Sequence, residues 1–500
     1  MPRCDTLIRN AHLMDGSGHE SHAGSGRHLA DVALSDGRIA EISASIPWEA
    51  VRTIDAKGLT LAPGFIDTHT HDDTSVIRTP QMLPKLSQGV TTVVVGNCGI
   101  SAAPADFTGT PPDPMNLLGG PGSFCYPSFE SYVKAIGNAQ PAVNVAAFVG
   151  HTTLRNNHMD RLDREATEPE IGAMRAQLVD ALGHGAFGLS TGLAYLSACA
   201  ASTKEVLALA EPLAAFGAYY VTHLRSESDS IRDALEEAFL IGRQTGVPVI
   251  ISHLKCAGIA NWGRSAEVLR MLEQAQSRQE VGFDCYPYAA GSSTLDLRQV
   301  DARVKITITW SEKYPEVAGQ TLAEISSNWE IDQLEAAGRL QPAGAIYHSI
   351  AEADMQRILA HPQTMIGSDG LPHDPHPHPR LWGTFPRVLG RYCREEKLFS
   401  LEQAIHKMTG LPARRFGLRD RGLIQRGYAA DLVLFNPETV SDAATFADPI
   451  AKAEGIAAVW VNGVLSFHEG ESTGQRAGHF LAHSADRQVR SKTQTVYSHS

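Results

Sequence analysis

Eight short apolar runs, separated by stretches with helical spacing, predict an α/β chain built on a parallel (β/α)8 barrel of the TIM type. Two further observations support this fold class. The alternation persists over some 350 residues, which suits a closed barrel better than an open sheet. Both chain ends instead carry short alternating segments broken by turn residues, predicting one small β-sandwich domain assembled from the two termini.

In chain order, residues 1–61 form the first part of the β-sandwich, with strand-like alternation at 6–8, 31–34 and 38–42. The barrel is expected over 62–416, its strands in the runs at 64–66, 89–96, 144–150, 187–190, 219–223, 247–253, 281–286 and 364–368. Segments 170–182 and 230–244 carry apolar residues at helical spacing and predict two of the intervening helices. Residues 296–344, with Trp310, Pro315 and Trp329, break the rhythm and read as a polar, loop-like insertion forming a lid or wall over the site. The second part of the β-sandwich is expected at 417–484, with strands within 422–435 and 456–467, and residues 485–500 as a frayed polar tail.

Composition narrows the function. A chain of 500 residues with 43% hydrophobic and 20% charged residues is ordinary for a globular enzyme. No apolar run approaches the roughly 20 residues needed to span a bilayer, so a membrane role is not expected. The formal net charge of −12 argues against nonspecific nucleic-acid binding, which needs clustered basic residues. Seven cysteines, an odd number scattered along the chain, argue for reduced thiols, and the amino terminus lacks a signal-peptide pattern; a cytoplasmic location is the expectation.

The chemistry concentrates at strand ends. His69 and His71 follow the apolar residues of the first run, where alternation places both imidazoles on one side. Taken alone, the pair is equally compatible with surface or core histidines. However, Cys98, His223, His253 and Asp369 each stand just past another strand-like run, and a barrel delivers such residues to one face. Independent accidents would not all fall at the same end of successive strands.

These residues sit in the segments GFIDTHTHDD (64–73), GVTTVVVGNCG (89–99), GLSTGLAY (188–195), THLRSE (222–227), SHLK (252–255), DCYPY (284–288) and GSDG (367–370). Through them the chain, over about residues 5–470, resembles the amidohydrolase superfamily and within it the N-acyl-D-amino-acid deacylases, or D-aminoacylases. The resemblance implies that Cys98 stands where many amidohydrolases have a bridging carbamylated lysine. It further implies one tightly held Zn2+ on Cys98, His223 and His253, and a second, weaker position formed by His69, His71, Cys98 and Asp369. Thiolate ligation favours zinc over magnesium or calcium.

Asp369 is the expected general base, taking a proton from the attacking water and returning it to the departing amine. Lys255, two residues after His253, should face the same way, and Tyr195 and Tyr286 follow other strand-like runs. The resemblance assigns such positions to the α-carboxylate or scissile carbonyl of the substrate. Arg380, in a matching His-Pro-Arg segment that begins at His378, suits bidentate carboxylate binding. His373 and His376 read as loop decoration. Ser292 and Arg298 lie in GSSTLDLR (291–298), which leads into the stretch where deacylases of differing side-chain preference diverge and where an arginine can read a second carboxylate; the segments at 306–311, 344–347 and 383–392 look most like the N-acyl-D-glutamate deacylases. The implied activity is zinc-dependent hydrolysis of N-acyl-D-amino acids, with N-acyl-D-glutamate preferred and a small-molecule substrate as the expected partner. The alternatives are a D-aminoacylase of broad specificity for neutral side chains and a cyclic-amide hydrolase of the dihydropyrimidinase or hydantoinase type. Cys98 in place of the lysine counts against the latter. A noncatalytic scaffold is disfavoured because none of the six ligand residues is missing.

Overall fold

The computed structural model describes residues 2–18 and 29–484; the tail expected at 485–500 lies outside the described residues. Eight parallel strands run in chain order: Phe65–Asp67, Val90–Val95, Asn144–Ala147, Gly188–Gly192, Tyr219–His223, Val249–Ile251, Val281–Cys285 and Thr364–Ile366. The third continues as Val149–Gly150, which pairs with Gly188–Gly192 and carries the ladder forward. Closure occurs between the first and eighth strands, where Thr68 N donates to Ile366 O at 3.3 Å, Asp369 N to His69 O at 2.7 Å and His71 N to Gly370 O at 3.1 Å. The backbone bonds that close the barrel therefore also register His69 and His71 against Asp369.

Period-2 alternation decides what each face holds. Ile66, Val94, Ala146, Val221, Ile250 and Met365 point into the barrel and pack with Phe148, Phe416 and Leu418 in a buried cluster. The opposite-facing residues, among them Val93, Val95, Val145, Tyr220 and Ile251, pack against helices such as Glu168–Gly183, Ile231–Thr245 and Ser265–Gln276. The helices expected at 170–182 and 230–244 are the first two of these. A filled interior leaves the carboxyl ends of the strands as the place where polar side chains converge.

Both chain ends contribute to one nine-stranded sheet. Its seam is Thr60–Pro63, parallel to Arg3–Leu13 on one side and antiparallel to Leu432–Phe435 on the other. One residue later the chain enters the first barrel strand. Trp460 is buried in this domain among Ile8, Val32, Leu432 and Ala458. The domain is tied to the barrel by buried polar groups. Asn144 Nδ2 of the third strand donates to Asp431 Oδ2 at 3.0 Å, Asn462 Nδ2 donates to Asn144 Oδ1 at 2.8 Å, and Arg421 pairs with Asp431.

The segment read as a polar loop is instead a folded unit. Gly291–Thr294, Ile306–Ser311 and Ala343–Tyr347 form an antiparallel sheet, and Leu322–Asn328 and Gln333–Leu340 are helices. Ile306, Ile308, Leu322, Ile325, Ala336 and Leu340 share a separate buried core. The apolar signal was spread over short elements whose faces meet only in three dimensions, so local polarity masked it. Among the described residues, no helix is long and apolar enough to cross a membrane.

Because Arg421 and Asp431 are both nearly inaccessible, Asp431→Asn removes the counter-charge while keeping the shape. The expected loss is about 3–5 kcal/mol, read as a lowered urea midpoint; an unchanged midpoint would contradict the account of the domain junction.

Candidate metal centre

Three strand-end residues share an unusual backbone. Cys98 (φ 54°), His253 (φ 35°) and Asp369 (φ 49°) all lie in the left-handed region that side-chain-bearing residues avoid. Each such residue costs of order 1–3 kcal/mol and persists only where surrounding structure enforces it. Around Cys98 the enforcement is visible: Gly96 and Gly99 also have positive φ, and a Cβ on Gly99 would lie 2.6 Å from Gly192 N. The chain turns sharply there and aims the thiol over the barrel mouth.

The side chains converge on that sulfur. Cys98 Sγ lies 3.2 Å from His69 Nε2 and 3.2 Å from His253 Nε2. His71 Nε2 lies 3.1 Å from Asp369 Oδ1, and the His223 and His253 rings meet edge to face at 4.5 Å. Two groups of potential ligand atoms, each within 4.8 Å of one another, result: His69, His71, Cys98 and Asp369, and Cys98, His223 and His253. All six residues expected as ligands are thus brought together, with Cys98 in both groups. His69 and His71 lie just beyond the strand end at Asp67, not within it.

Buried charge fixes the protonation of the cluster. Burial pushes the Cys98 thiol up, but the His69 and His253 rings and a hydrogen bond from His223 hold it well below the ordinary thiol range. Asp369 behaves similarly, with burial raising it and Arg380, His253 and His71 holding it well below a normal carboxyl. The Nδ1 atom of His223 is buried without a hydrogen-bond partner, while His69, His71 and His253 turn Nε2 toward Cys98 or Asp369. A thiolate, converging imidazole nitrogens and an ionised carboxylate suit zinc, a borderline ion that takes sulfur, nitrogen and oxygen donors together.

A second layer of polar side chains, with no spacing pattern to mark it, holds these groups. Asp284 Oδ1 accepts from the backbone N–H of His253 at 2.9 Å and lies 3.4 Å from His69 Nδ1, so one carboxylate holds the backbone at one ligand residue beside the ring of another. Glu227 Oε1 lies 2.9 Å from His253 Nδ1 and accepts from Lys255 Nζ at 2.5 Å. Beneath the site, Lys85 is completely buried, donating to Asp67 Oδ2 at 2.7 Å, Thr70 Oγ1 at 2.9 Å and Ser368 Oγ at 2.9 Å, with Asp72 Oδ2 at 3.1 Å. Burial lowers the Lys85 pKa, yet Asp67 and Asp72 outweigh it and keep the ammonium charged. Asp67 also accepts from Ser368 N at 2.8 Å, which binds the first strand end to the eighth.

A cavity of about 720 Å³ opens over the cluster. Tyr195, Lys255, Tyr286, Ser292 and Arg298 line it with His223, His253 and Asp369. The Tyr195 ring lies tilted against that of His223, 4.9 Å between centroids, and its hydroxyl is 3.3 Å from Ser293 Oγ. Arg298 stands at the rim, its side chain 52% exposed and paired with Asp296 at 2.6 Å. Arg380 is buried behind this wall, with Nη2 bonded to Asp369 Oδ2 at 2.8 Å and Ser292 O at 3.0 Å. Its guanidinium lies 4.5 Å over the Tyr286 ring, and its Nε and Nη1 have no partner. His373 is tied to Thr74 Oγ1 at 2.8 Å and His376 to Phe446 O at 3.0 Å, away from the ligand cluster.

Comparison with known proteins places this geometry in context. The model of the amidohydrolase family matches residues 52–467. Three proteins of Alcaligenes xylosoxydans xylosoxydans align over nearly the whole chain. An N-acyl-D-aspartate deacylase is 49% identical, covering 96% of this chain and 95% of its own. A D-aminoacylase is 49% identical (96% and 98%), and an N-acyl-D-glutamate deacylase is 44% identical (97% and 97%). Among solved structures, a D-aminoacylase superposes with TM-score 0.93 at 49% identity, covering 96% of this chain and 100% of that one. The N-acyl-D-glutamate deacylase of Bordetella bronchiseptica, complexed with zinc and a phosphonate inhibitor that mimics the tetrahedral intermediate, superposes with TM-score 0.91 at 43% identity and the same coverage.

Lys85→Met should leave Asp67 and Asp72 as unpaired buried charges. A loss of about 3–5 kcal/mol in denaturant unfolding is expected, together with weaker retention of zinc under dialysis; retention equal to the parent protein would show that Lys85 does not support the site.

Proposed function

The chain belongs to the amidohydrolase family, and from that premise we propose that it hydrolyses the amide bond of N-acyl-D-amino acids, releasing a carboxylate and the free D-amino acid. The observation that carries this reading is the buried thiol Cys98, shared between two ligand groups whose members His223, His253 and Asp369 line a cavity together with the cations Lys255 and Arg298. Near-full-length similarity to deacylases of linear N-acyl-D-amino acids supports the substrate class and stereochemistry.

In this reading Cys98, His223 and His253 hold the principal zinc, and His69, His71, Cys98 and Asp369 a second, weaker position. Zinc at such a site supplies Lewis-acid polarisation of the scissile carbonyl and activation of water near neutral pH. Asp369 does the proton transfer. Its low pKa keeps it ionised, so it can accept the proton of water as the oxygen attacks the acyl carbon. It then protonates the nitrogen as the C–N bond breaks, so the products are a carboxylic acid and an amine. Arg380 holds one Asp369 oxygen at 2.8 Å and thereby orients the other toward the cluster.

Lys255 and Arg380 receive the α-carboxylate. Lys255 stays charged because Glu227 outweighs its burial, and Arg380 offers two buried N–H-bearing nitrogens without partners. Tyr286, packed under both cations, closes the wall; Tyr195 and Ser292 complete it. Arg298 is assigned to a second carboxylate on the substrate side chain, with N-acyl-D-glutamate preferred. Binding there requires its guanidinium to turn from Asp296, so the preference depends on the strength of that rim ion pair, which solvent weakens. The enzyme is proposed to act in the cytoplasm.

Asp369→Asn should lose turnover by about 10²–10⁴-fold while keeping the zinc held by Cys98, His223 and His253; retained activity would refute the general-base assignment. By metal analysis, His69→Asn should cost less bound zinc than His223→Asn, and the reverse order would overturn the ranking of the two positions. Kinetics on the N-acetyl derivatives of D-glutamate, D-aspartate and D-methionine, with L-glutamate as control, test the substrate. A clear preference for the methionine derivative would refute the acidic assignment, and turnover of the L form alone would refute the stereochemical one.

A further inference from the structure

His378 touches neither the ligand cluster nor the cavity, yet it is 2% exposed and bonded at both ring nitrogens. Arg380 N donates to its Nδ1 at 3.0 Å. A backbone N–H can only donate, so Nδ1 carries no proton; the Nε2 proton then donates to Ala290 O at 3.0 Å. The ring is neutral and in one tautomer. Burial and the adjacent Arg380 charge disfavour its protonation.

These two bonds close a circuit. From Arg380 N the path runs through the imidazole to Ala290, along the chain to Ser292, and from Ser292 O back to the guanidinium of Arg380 at 3.0 Å. An arginine side chain has many rotamers, and tying its head group to its own backbone through a rigid ring removes most of them. The imidazole is itself clamped edge-on by Tyr288 and Phe446, each at 5.0 Å. Phe446 comes from the loop between Leu432–Phe435 and Ile456–Val461 of the outer sheet, and it also packs 4.7 Å from His348 beside the insertion.

We propose that His378 is a positioning residue for substrate recognition, holding the Arg380 guanidinium so that one of its unpartnered N–H groups, at Nε or Nη1, meets the substrate α-carboxylate. The outer β domain takes part through Phe446. This inference rests on the carboxylate role of Arg380 proposed above.

The test compares kcat/KM for N-acetyl-D-glutamate with that for its α-carboxamide analogue, in zinc-loaded protein of verified melting temperature. Arg380→Met should collapse the preference for the acid; if it does not, the carboxylate role of Arg380 itself fails. His378→Phe keeps the ring volume but removes both hydrogen bonds, and should lower the same preference by about 10- to 100-fold, the range expected when the charged hydrogen bond from Arg380 to the carboxylate is misaligned and lost. A merely structural His378 would lower the melting temperature and leave the ratio unchanged, and that result, alongside a collapsed ratio in Arg380→Met, overturns the proposal. Should His378→Phe not accumulate as folded protein, Phe446→Ala carries the test. It keeps both hydrogen bonds but opens one wall of the ring, with a fall of about 3- to 10-fold expected for a loosened aromatic contact and an unchanged ratio contradicting the proposal.

Discussion

The Cys98 sulfur, 3.2 Å from imidazole nitrogens of two different strand ends, is the point on which the site's geometry depends. A thiolate in a closed, buried cluster is tolerable only if positive charge or metal stands beside it. The fold meets that requirement by bringing four more strand ends to the same place. Left-handed backbone at Cys98, His253 and Asp369 is the local cost, set against the barrel's closing hydrogen bonds and the packing of its interior.

The polar layer beneath explains how such a cluster stays aligned. Lys85 and Asp67 join the loops that carry His69, His71 and Asp369, while Asp284 joins His69 to His253. Each carboxylate bridges elements far apart in sequence. Rigidity at the centre therefore comes from tertiary ion pairs and hydrogen bonds at the strand ends, with the helices outside providing the apolar support. The same logic extends outward to Arg380, anchored through His378 by loops from the barrel and the outer domain.

Much of this was legible in the sequence because barrel strands are local, continuous and apolar, and their last residue marks the active face. Cys98, His223, His253 and Asp369 each followed such a run, and the structure gathers them with His69 and His71. Residues 296–344 misled because the helices Leu322–Asn328 and Gln333–Leu340 and the strand Ile306–Ser311 are short, and their common core is visible only once folded. Lys85 left no signal, since a lysine in a short helical turn is ordinarily solvated; only the fold shows that two carboxylates enclose it. Asp284 and Glu227 stood inside recognised motifs, but their function is to hold other side chains, and spacing does not reveal such partners.

The central claim is that Cys98 is a zinc ligand within the tighter of the two groups. X-ray absorption at the zinc edge, on protein loaded with a single equivalent, tests it most directly. The account predicts one sulfur scatterer at about 2.3 Å with nitrogen donors at about 2.0–2.1 Å. A first shell of nitrogen and oxygen alone, with no sulfur, would contradict it.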